Sequence, residues 1–468
     1  MKKNLSREVF ISILMVSLAA AYSGAFSQGI RPWPDNLRYW EFRGKPVLLL
    51  GGSADDDLFQ YAGFEEQLDT LVSCGGNVIR NTMSSQDSTR PWPFARVNGS
   101  YDLDRFNSEY WERFSRLLAE AHRRDVVVQV EVWATFSYYR EAWTLFNPFN
   151  PSLNSNYTEA RSGLPSVNQS HPTRADNPFF RTPPKYLNNK VVLPYQEKFV
   201  DKILSFTFQY DNVLYAMDNE TSADPRWGEY WAGYIKKKAA QAGREVFVTE
   251  MWDPWELTHP WHLFTIDHPE TYDFIDISQN NWQEGQKHQE ALAYVRERIK
   301  DSPRPVNNTK VYAVRGGERW LNPRLAVDRF WGNVWGGCAS TRFHRPTEAG
   351  SGIGINSTAR RAIRGIRESL AGFEVFLSRV NDRLLKDRSE NEAYCLEEEG
   401  RAWAVMFPEG GRVLLEPARA PAGAAFEVRW FDADYLAWQP AYVVRSEPYI
   451  PLGAPGPGRW VARVEARQ

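Results

Sequence analysis

Acidic side chains recur where apolar runs end. Asp218-Asn219-Glu220 follows the run Asn212–Met217, and Glu250, Trp252 and Asp253 follow Glu245–Thr249. Glu318 stands beyond Lys310–Val314, after the Gly316-Gly317 turn. Other runs end in Arg80-Asn81, in Glu131 and Trp133, in Gln279, Asn280 and Trp282, and in Arg342, His344 and Arg345. Asp55-Asp56-Asp57 follows Gly51-Gly52-Ser53. A pair of carboxyl groups can cleave a glycosidic bond: one protonates the leaving oxygen while the other attacks or activates water. Amides and acids hydrogen-bond sugar hydroxyls, and indole faces stack on the C–H faces of pyranose rings. The seven His show no His-x-x-x-His or similar spacing, and the Asp run lacks the Gly-spaced ligand order of a calcium loop. Neither metal nor cofactor is expected.

The elements that position these residues alternate. Apolar runs near residues 47, 78, 129, 214, 247, 275, 312 and 339 read as strands, eight in all. Helical spacing follows over Phe64–Cys74, 103–123, Leu193–Phe208, Trp227–Ala242, 285–300, 323–335 and Ala359–Val380. Repeated strand–helix alternation implies a parallel sheet with right-handed crossovers, and eight units fit a (β/α)8 TIM barrel. The rival, an open doubly wound sheet, usually carries a Gly-x-Gly-x-x-Gly or phosphate loop after a strand, and none is present. In such barrels the site lies at the C-terminal strand ends, where the residues above fall. The segment Tyr139–Asn189, rich in Asn, Pro, Ser and aromatics, is long enough to be a lid or binding loop. Beyond Asp387 short strands follow one another without helices, over Glu392–Leu396, Ala402–Phe407, Arg412–Leu415, Ala425–Phe431, Ala441–Val444 and Trp460–Val464. They predict a small antiparallel β-sandwich.

Three segments are therefore expected: a leader (1–27), a barrel (28–385) and a β-sandwich (386–468). Lys2, Lys3 and Arg7 precede an apolar run, Val9–Ala21, and Ala25-Phe26-Ser27 offers small residues for cleavage. This is the pattern of an export signal, so a secreted or periplasmic protein is expected, without stable membrane insertion after cleavage. A net charge of −2 argues against nucleic acid as a partner. Nineteen Trp within 14% aromatic residues exceed what a core needs, so some rings are expected to line a cleft. Three cysteines build no disulfide framework. A monomer with a carbohydrate partner is expected.

Asn219-Glu220 after the fourth strand, Glu318 after the seventh and Arg80 after the second resemble the clan A glycoside hydrolases. Gly51-Gly-Ser-Ala-Asp-Asp-Asp-Leu-Phe-Gln60, Leu193-Pro-Tyr-Gln, Tyr210-Asp-Asn-Val-Leu-Tyr215 and Thr341-Arg-Phe-His-Arg345 resemble segments of the apiosidase-like secreted barrels of that clan, which often end in a collagen-binding-like β-domain. The resemblance implies a retaining glycosidase. In it Glu220 is the acid/base with a raised pKa, Glu318 is the nucleophile, and Arg80 keeps that nucleophile ionised. Asp218 competes for the acid role, and Glu250 is the reserve nucleophile. Arg80, Asn219, Asp55, Asp56, Trp133, Glu250, Trp252, Trp282, Arg342 and His344 are candidate substrate contacts. Each has a structural alternative: a loop cap for Glu220, an ion cluster with Arg315 or Arg319 for Glu318, a core position for any Trp. The competing function is a carbohydrate-binding or adhesion protein that kept the barrel without catalysis.

Overall fold

The computed structural model describes residues 29–85, 89–314, 321–346, 352–417 and 423–467. The expected leader and Glu318 lie outside them. Eight parallel strands form one sheet: β1 (Leu49–Gly52), β2 (Val78–Thr82), β3 (Val127–Trp133), β4 (Val213–Asp218), β5 (Val248–Thr249), β6 (Ile275–Asp276), β7 (Val306–Val311) and β8 (Ser340–Phe343). The hydrogen-bonded path runs β5-β4-β3-β2-β1-β8-β7-β6. Its two ends meet where Asp273 N donates to Val248 O at 2.9 Å and Thr249 Oγ1 to Phe274 O at 2.7 Å. A helix follows each strand: α1 (Phe64–Ser73), α2 (Ser108–Arg123), α3 (Leu193–Thr207), α4 (Pro225–Gln241), α5 (Pro260–Ile266), α6 (Gly285–Arg298), α7 (Pro323–Trp335) and α8 (Ser357–Ser369). The molecule is a (β/α)8 barrel with an antiparallel β-domain.

The strand β3, Val127-Val-Gln-Val-Glu-Val-Trp133, shows how sequence becomes architecture. Both faces are buried, as in parallel sheets generally, yet one face is polar. Gln129 reaches across the barrel to Asp276 Oδ2 on β6 and Thr309 Oγ1 on β7, each at 3.4 Å. Glu131 meets Arg80 on β2. The lumen is thus a hydrogen-bonded polar column, and the alternating valines belong to the apolar cluster shared with the helices. Gly51 is required by close packing: a Cβ there would lie 2.0 Å from Val78 O on β2.

Two strand assignments shift. The run at 45–47 belongs to an antiparallel N-terminal sheet with Arg31–Trp33 and Asn36–Phe42, and β1 begins at Leu49. The seventh strand ends at Val311 instead of Val314 and carries a bulge: Asn308 pairs with Thr341, but Val311 pairs with Phe343. One extra residue on β7 re-aims the side chains around Thr309 and Lys310. The first part of 103–123 is hairpin strand (Ser100–Phe106) before α2 begins, and the last helix stops at Ser369. The segment 139–189 contains short helical turns, at Ala142–Phe146, Glu159–Ser162, Pro172–Arg174 and Pro178–Arg181.

The C-terminal β-domain has two sheets. In its strand Ala402–Phe407, Trp403, Val405 and Phe407 enter the sandwich core with Phe426, Trp430 and Leu452. Ala402, Ala404 and Met406 join the barrel's cluster instead, and Trp335 Nε1 on α7 donates to Ala404 O at 3.0 Å. A strand with two apolar faces fastens the β-domain to the barrel. Ile450–Gly453 is a strand the sequence reading omitted. Cys74, Cys338 and Cys395 are buried and free. Among the described residues no helix is long and apolar enough to cross a membrane.

Candidate active site

The strand ends converge on two linked charge networks. In the first, Arg80 is wholly buried: Nε donates to Glu131 Oε1 at 2.5 Å, Nη2 to Asn219 Oδ1 at 2.7 Å, and Nη1 to Asp56 Oδ1. Arg345 Nε holds the other oxygen of Asp56. Burial pushes the Asp56 carboxyl up, but Arg80 and Arg345 outweigh it and hold it well below the usual range. A buried arginine surrounded by acids and an amide is a built base for the site, since stripping it would leave uncompensated charge.

In the second network three donors meet one carboxylate oxygen. Glu220 Oε1 accepts from Gln279 Nε2 at 2.7 Å, from Tyr312 OH at 3.1 Å and from Lys310 Nζ. Lys310 also reaches Asn219 Oδ1 at 3.1 Å, joining the two networks. Burial alone would raise the Glu220 carboxyl; the Lys310 ammonium and the Gln279 hydrogen bond reverse this, so it lies below the ordinary value. The expectation of a protonated Glu220 is therefore corrected: its neighbours favour the anion. Its backbone is left-handed, with φ 58°, a conformation uncommon for a side chain other than Gly, Asn or Asp. Neighbouring strands hold it there. Thr135 Oγ1 donates to Asn219 O, Thr221 N to Met251 O at 2.9 Å, and Asp253 N to Thr221 O at 2.8 Å.

The last of these bonds brings Asp253 to the same place. Glu220, Asp253, Trp255, Gln279, Trp282, Tyr312 and Val314 line an open cleft of about 440 Å³. Asp253 is half-buried, and burial, then the Glu220 charge, push its carboxyl up to about 6. One cleft thus holds two carboxyl groups driven in opposite directions. Trp282 is 38% exposed, and its Nε1 lies 3.3 Å from Gln279 Oε1, the amide that grips Glu220. Trp255 is exposed on the other loop. Tyr139 from the long β3–α3 segment stands close enough for both acids to raise its hydroxyl further after burial.

Other expected site residues lie elsewhere. Asp218 is buried, with Trp227 Nε1 of α4 donating to its Oδ1 at 3.1 Å. Glu250 is buried beside it and accepts from the backbone N–H of Asp218 and Met251, both at 2.9 Å. Burial pushes both carboxyls up, Asp218 to about 8. They form a pair beneath α4 instead of facing the cleft. Trp133 is fully buried among Phe179, Phe199, Trp227 and Trp231, and Trp252 is buried with its Nε1 on Thr265 Oγ1 at 2.7 Å. Neither can be a stacking platform. Arg342 is buried on Ser53 Oγ and Thr309 O. Asp55 and Asp57 grip Arg90. His344 is buried edge-on to Tyr312, its Nδ1 3.8 Å from Asp56, and burial holds the imidazole neutral. Arg80 binds Asp56, Glu131 and Asn219. The sequence reading missed Lys310 and Tyr312, which the β7 bulge delivers, and passed over Asp253 and Gln279 although both stood at strand ends.

No protein-family model and no curated protein matches the sequence. Solved structures do match in fold. A family 5 glycoside hydrolase from Bacteroides vulgatus superposes with a TM-score of 0.62 at 10% identity, covering 93% of each chain. Another glycoside hydrolase matches 94% of this chain and 97% of its own, at 12% identity and a TM-score of 0.59. A family 5 mannosidase from Rhizomucor miehei covers 74% of this chain and 98% of its own, with 14% identity and a TM-score of 0.50. At such identities the likeness is one of fold.

Proposed function

We propose that the protein is a glycoside hydrolase that cleaves a neutral polysaccharide or oligosaccharide in the cleft around Glu220. The observation that carries this reading is the opposed carboxyl pair: Glu220 favoured as the anion, Asp253 pushed up to about 6, in one cleft with exposed indoles. Carboxyls driven apart in this way divide into an acid and a base or nucleophile. Asp253, protonated, donates to the glycosidic oxygen as the C–O bond breaks. Glu220 Oε2 attacks the anomeric carbon, giving a glycosyl ester with the configuration inverted. Asp253, now ionised, takes a proton from water, and that water displaces Glu220 with a second inversion. The net outcome is retention. Lys310, Tyr312 and Gln279 keep Glu220 ionised before attack and stabilise it as it leaves. Trp282 supports the sugar ring. The fold likeness to glycoside hydrolases and the resemblance to apiosidase-like barrels both favour this class, and the resemblance points to plant polysaccharide met outside the cell.

The test is a screen of aryl glycosides and plant-wall polysaccharides with wild type and Glu220→Gln, with the product anomer followed by NMR. Turnover lost in the variant, with retained configuration, supports the reading; an inverted product refutes direct attack. One observation favours a second reading. Lys310 on β7 ties up the Glu220 carboxylate in an ion pair, so saturable sugar binding without turnover would identify a binding protein on a barrel scaffold.

A further inference from the structure

Outside the cleft, the molecule carries a second aromatic groove on its flank. Pro183, Pro184 and Lys185 form one end; Glu197 of α3 and Arg226, Glu229, Tyr230, Gly233, Tyr234 and Lys237 of α4 complete a hollow of about 460 Å³. The α4 members recur at helical spacing, so one face of that helix is given to the groove. Three features separate it from an ordinary exposed surface. Tyr230 and Tyr234 lie with ring centroids 6.0 Å apart and planes inclined by 33°. Both rings are pinned at the far end, because Tyr230 OH donates to Glu197 Oε1 and Tyr234 OH to Asp201 Oδ1 on α3. The floor beside them is left open: a Cβ on Gly233 would meet nothing within 4 Å. Glycine at an exposed mid-helix position weakens a helix relative to alanine, and here it removes bulk beside the rings.

We propose that this groove is a second carbohydrate-binding surface, which holds a neutral polysaccharide chain while the cleft acts on it. The inference rests on the hydrolase reading for its ligand class. Rings fixed in advance lose little freedom when a sugar settles on them, and neighbouring residues of a glycan can stack on the two. The rim mixes Lys185, Arg226 and Lys237 with Glu197 and Glu229. Donors and acceptors of both signs suit hydroxyl groups, and no excess of one charge selects a polyanion. An apolar helix would find the rim too charged.

The experiment is adsorption to insoluble xylan, mannan and cellulose, measured by depletion, for wild type, Tyr234→Ala and Gly233→Lys. The lysine variant fills the floor, leaves both tyrosines in place and favours the helix, so its folding is not at risk. Binding to at least one polymer is expected, weakened tenfold or more in both variants, while hydrolysis of a small aryl glycoside stays at the wild-type rate. Glu220→Gln is run beside them: it is expected to lose turnover and keep adsorption. The proposal is overturned if wild type adsorbs to none of the three polymers, or if both groove variants adsorb as wild type. Absence of turnover with adsorption that depends on Tyr234 would reject the hydrolase reading and leave the groove standing.

Discussion

Replacing Lys310 by methionine removes one charge from beneath the cleft at similar length. The lysine side chain is 3% exposed and the Glu220 side chain 27% exposed, so solvent screens the pair only in part. An opposite charge in contact lowers a carboxyl pKa by about 1–3 units. At about 1.4 kcal/mol per unit, the ammonium stabilises the Glu220 anion by about 1.4–4 kcal/mol. Without it, burial is opposed only by Gln279 and the more distant Arg80 among the principal influences, and the carboxyl rises. Asp253, which Lys310 also lowers, rises with it. The proposed mechanism needs Glu220 ionised and Asp253 protonated. Its rate therefore falls below the Glu220 pKa and above that of Asp253, giving an acid optimum with an alkaline limb near 6. In Lys310→Met the whole bell moves to higher pH, its acid limb by about 1–3 units. The assay is kcat/KM on an aryl glycoside from pH 3 to pH 9. An acid limb that stays in place would show that Glu220 does not set it and would refute the assignment.

Asp253→Asn should remove the alkaline limb and lower kcat/KM on substrates with poor leaving groups by about 10²–10⁴-fold, while kcat/KM on dinitrophenyl glycosides, which leave without a proton, is nearly spared although their kcat falls with loss of the base for the second step. Equal losses on both would mean that Asp253 is not the acid. Asp218→Asn should stabilise the protein. The Asp218 carboxyl has a folded-state pKa of about 8 against 3.8 for the ordinary group, so the native state binds the extra proton and stability declines as pH rises between those values. The gain should be absent near pH 4 and reach about 2–4 kcal/mol at pH 7, seen as a higher Tm; a Tm difference independent of pH would exclude this cause. Trp282→Ala should raise KM about 2–12-fold, from ~0.5–1.5 kcal/mol of ring contact, with little change in Tm. Trp133→Ala should instead cost about 3–5 kcal/mol of stability, and a normal Tm with a raised KM would reverse the two roles.

The barrel was legible because its parallel strands end where the apolar runs end, and the chain punctuates them with helices of strong amphipathic spacing. Even the polar lumen is written in β3, where Gln129 and Glu131 alternate with valines. What hides in sequence is anything set by one residue of register. The run 310–314 is apolar enough to read as the seventh strand. The true strand is Val306-Asn-Asn-Thr-Lys-Val311, whose polar residues serve the lumen, and a bulge leaves no trace in composition. Lys310 on that strand thereby reaches the Glu220 network. The roles of the acids were hidden for a different reason. Asp218, Glu220, Glu250 and Asp253 are chemically alike in sequence; burial and neighbours separate them. Asp218 and Glu250 are buried together beneath α4 and are driven towards neutrality, whereas Lys310, Gln279 and Tyr312 attend Glu220. A carboxyl's chemistry belongs to its surroundings, so strand-end position can nominate these four residues and only their donors can assign them. In the proposed reading Lys310 holds Glu220 as the anion while burial keeps the proton on Asp253, and that opposition lets the pair move a proton in one direction.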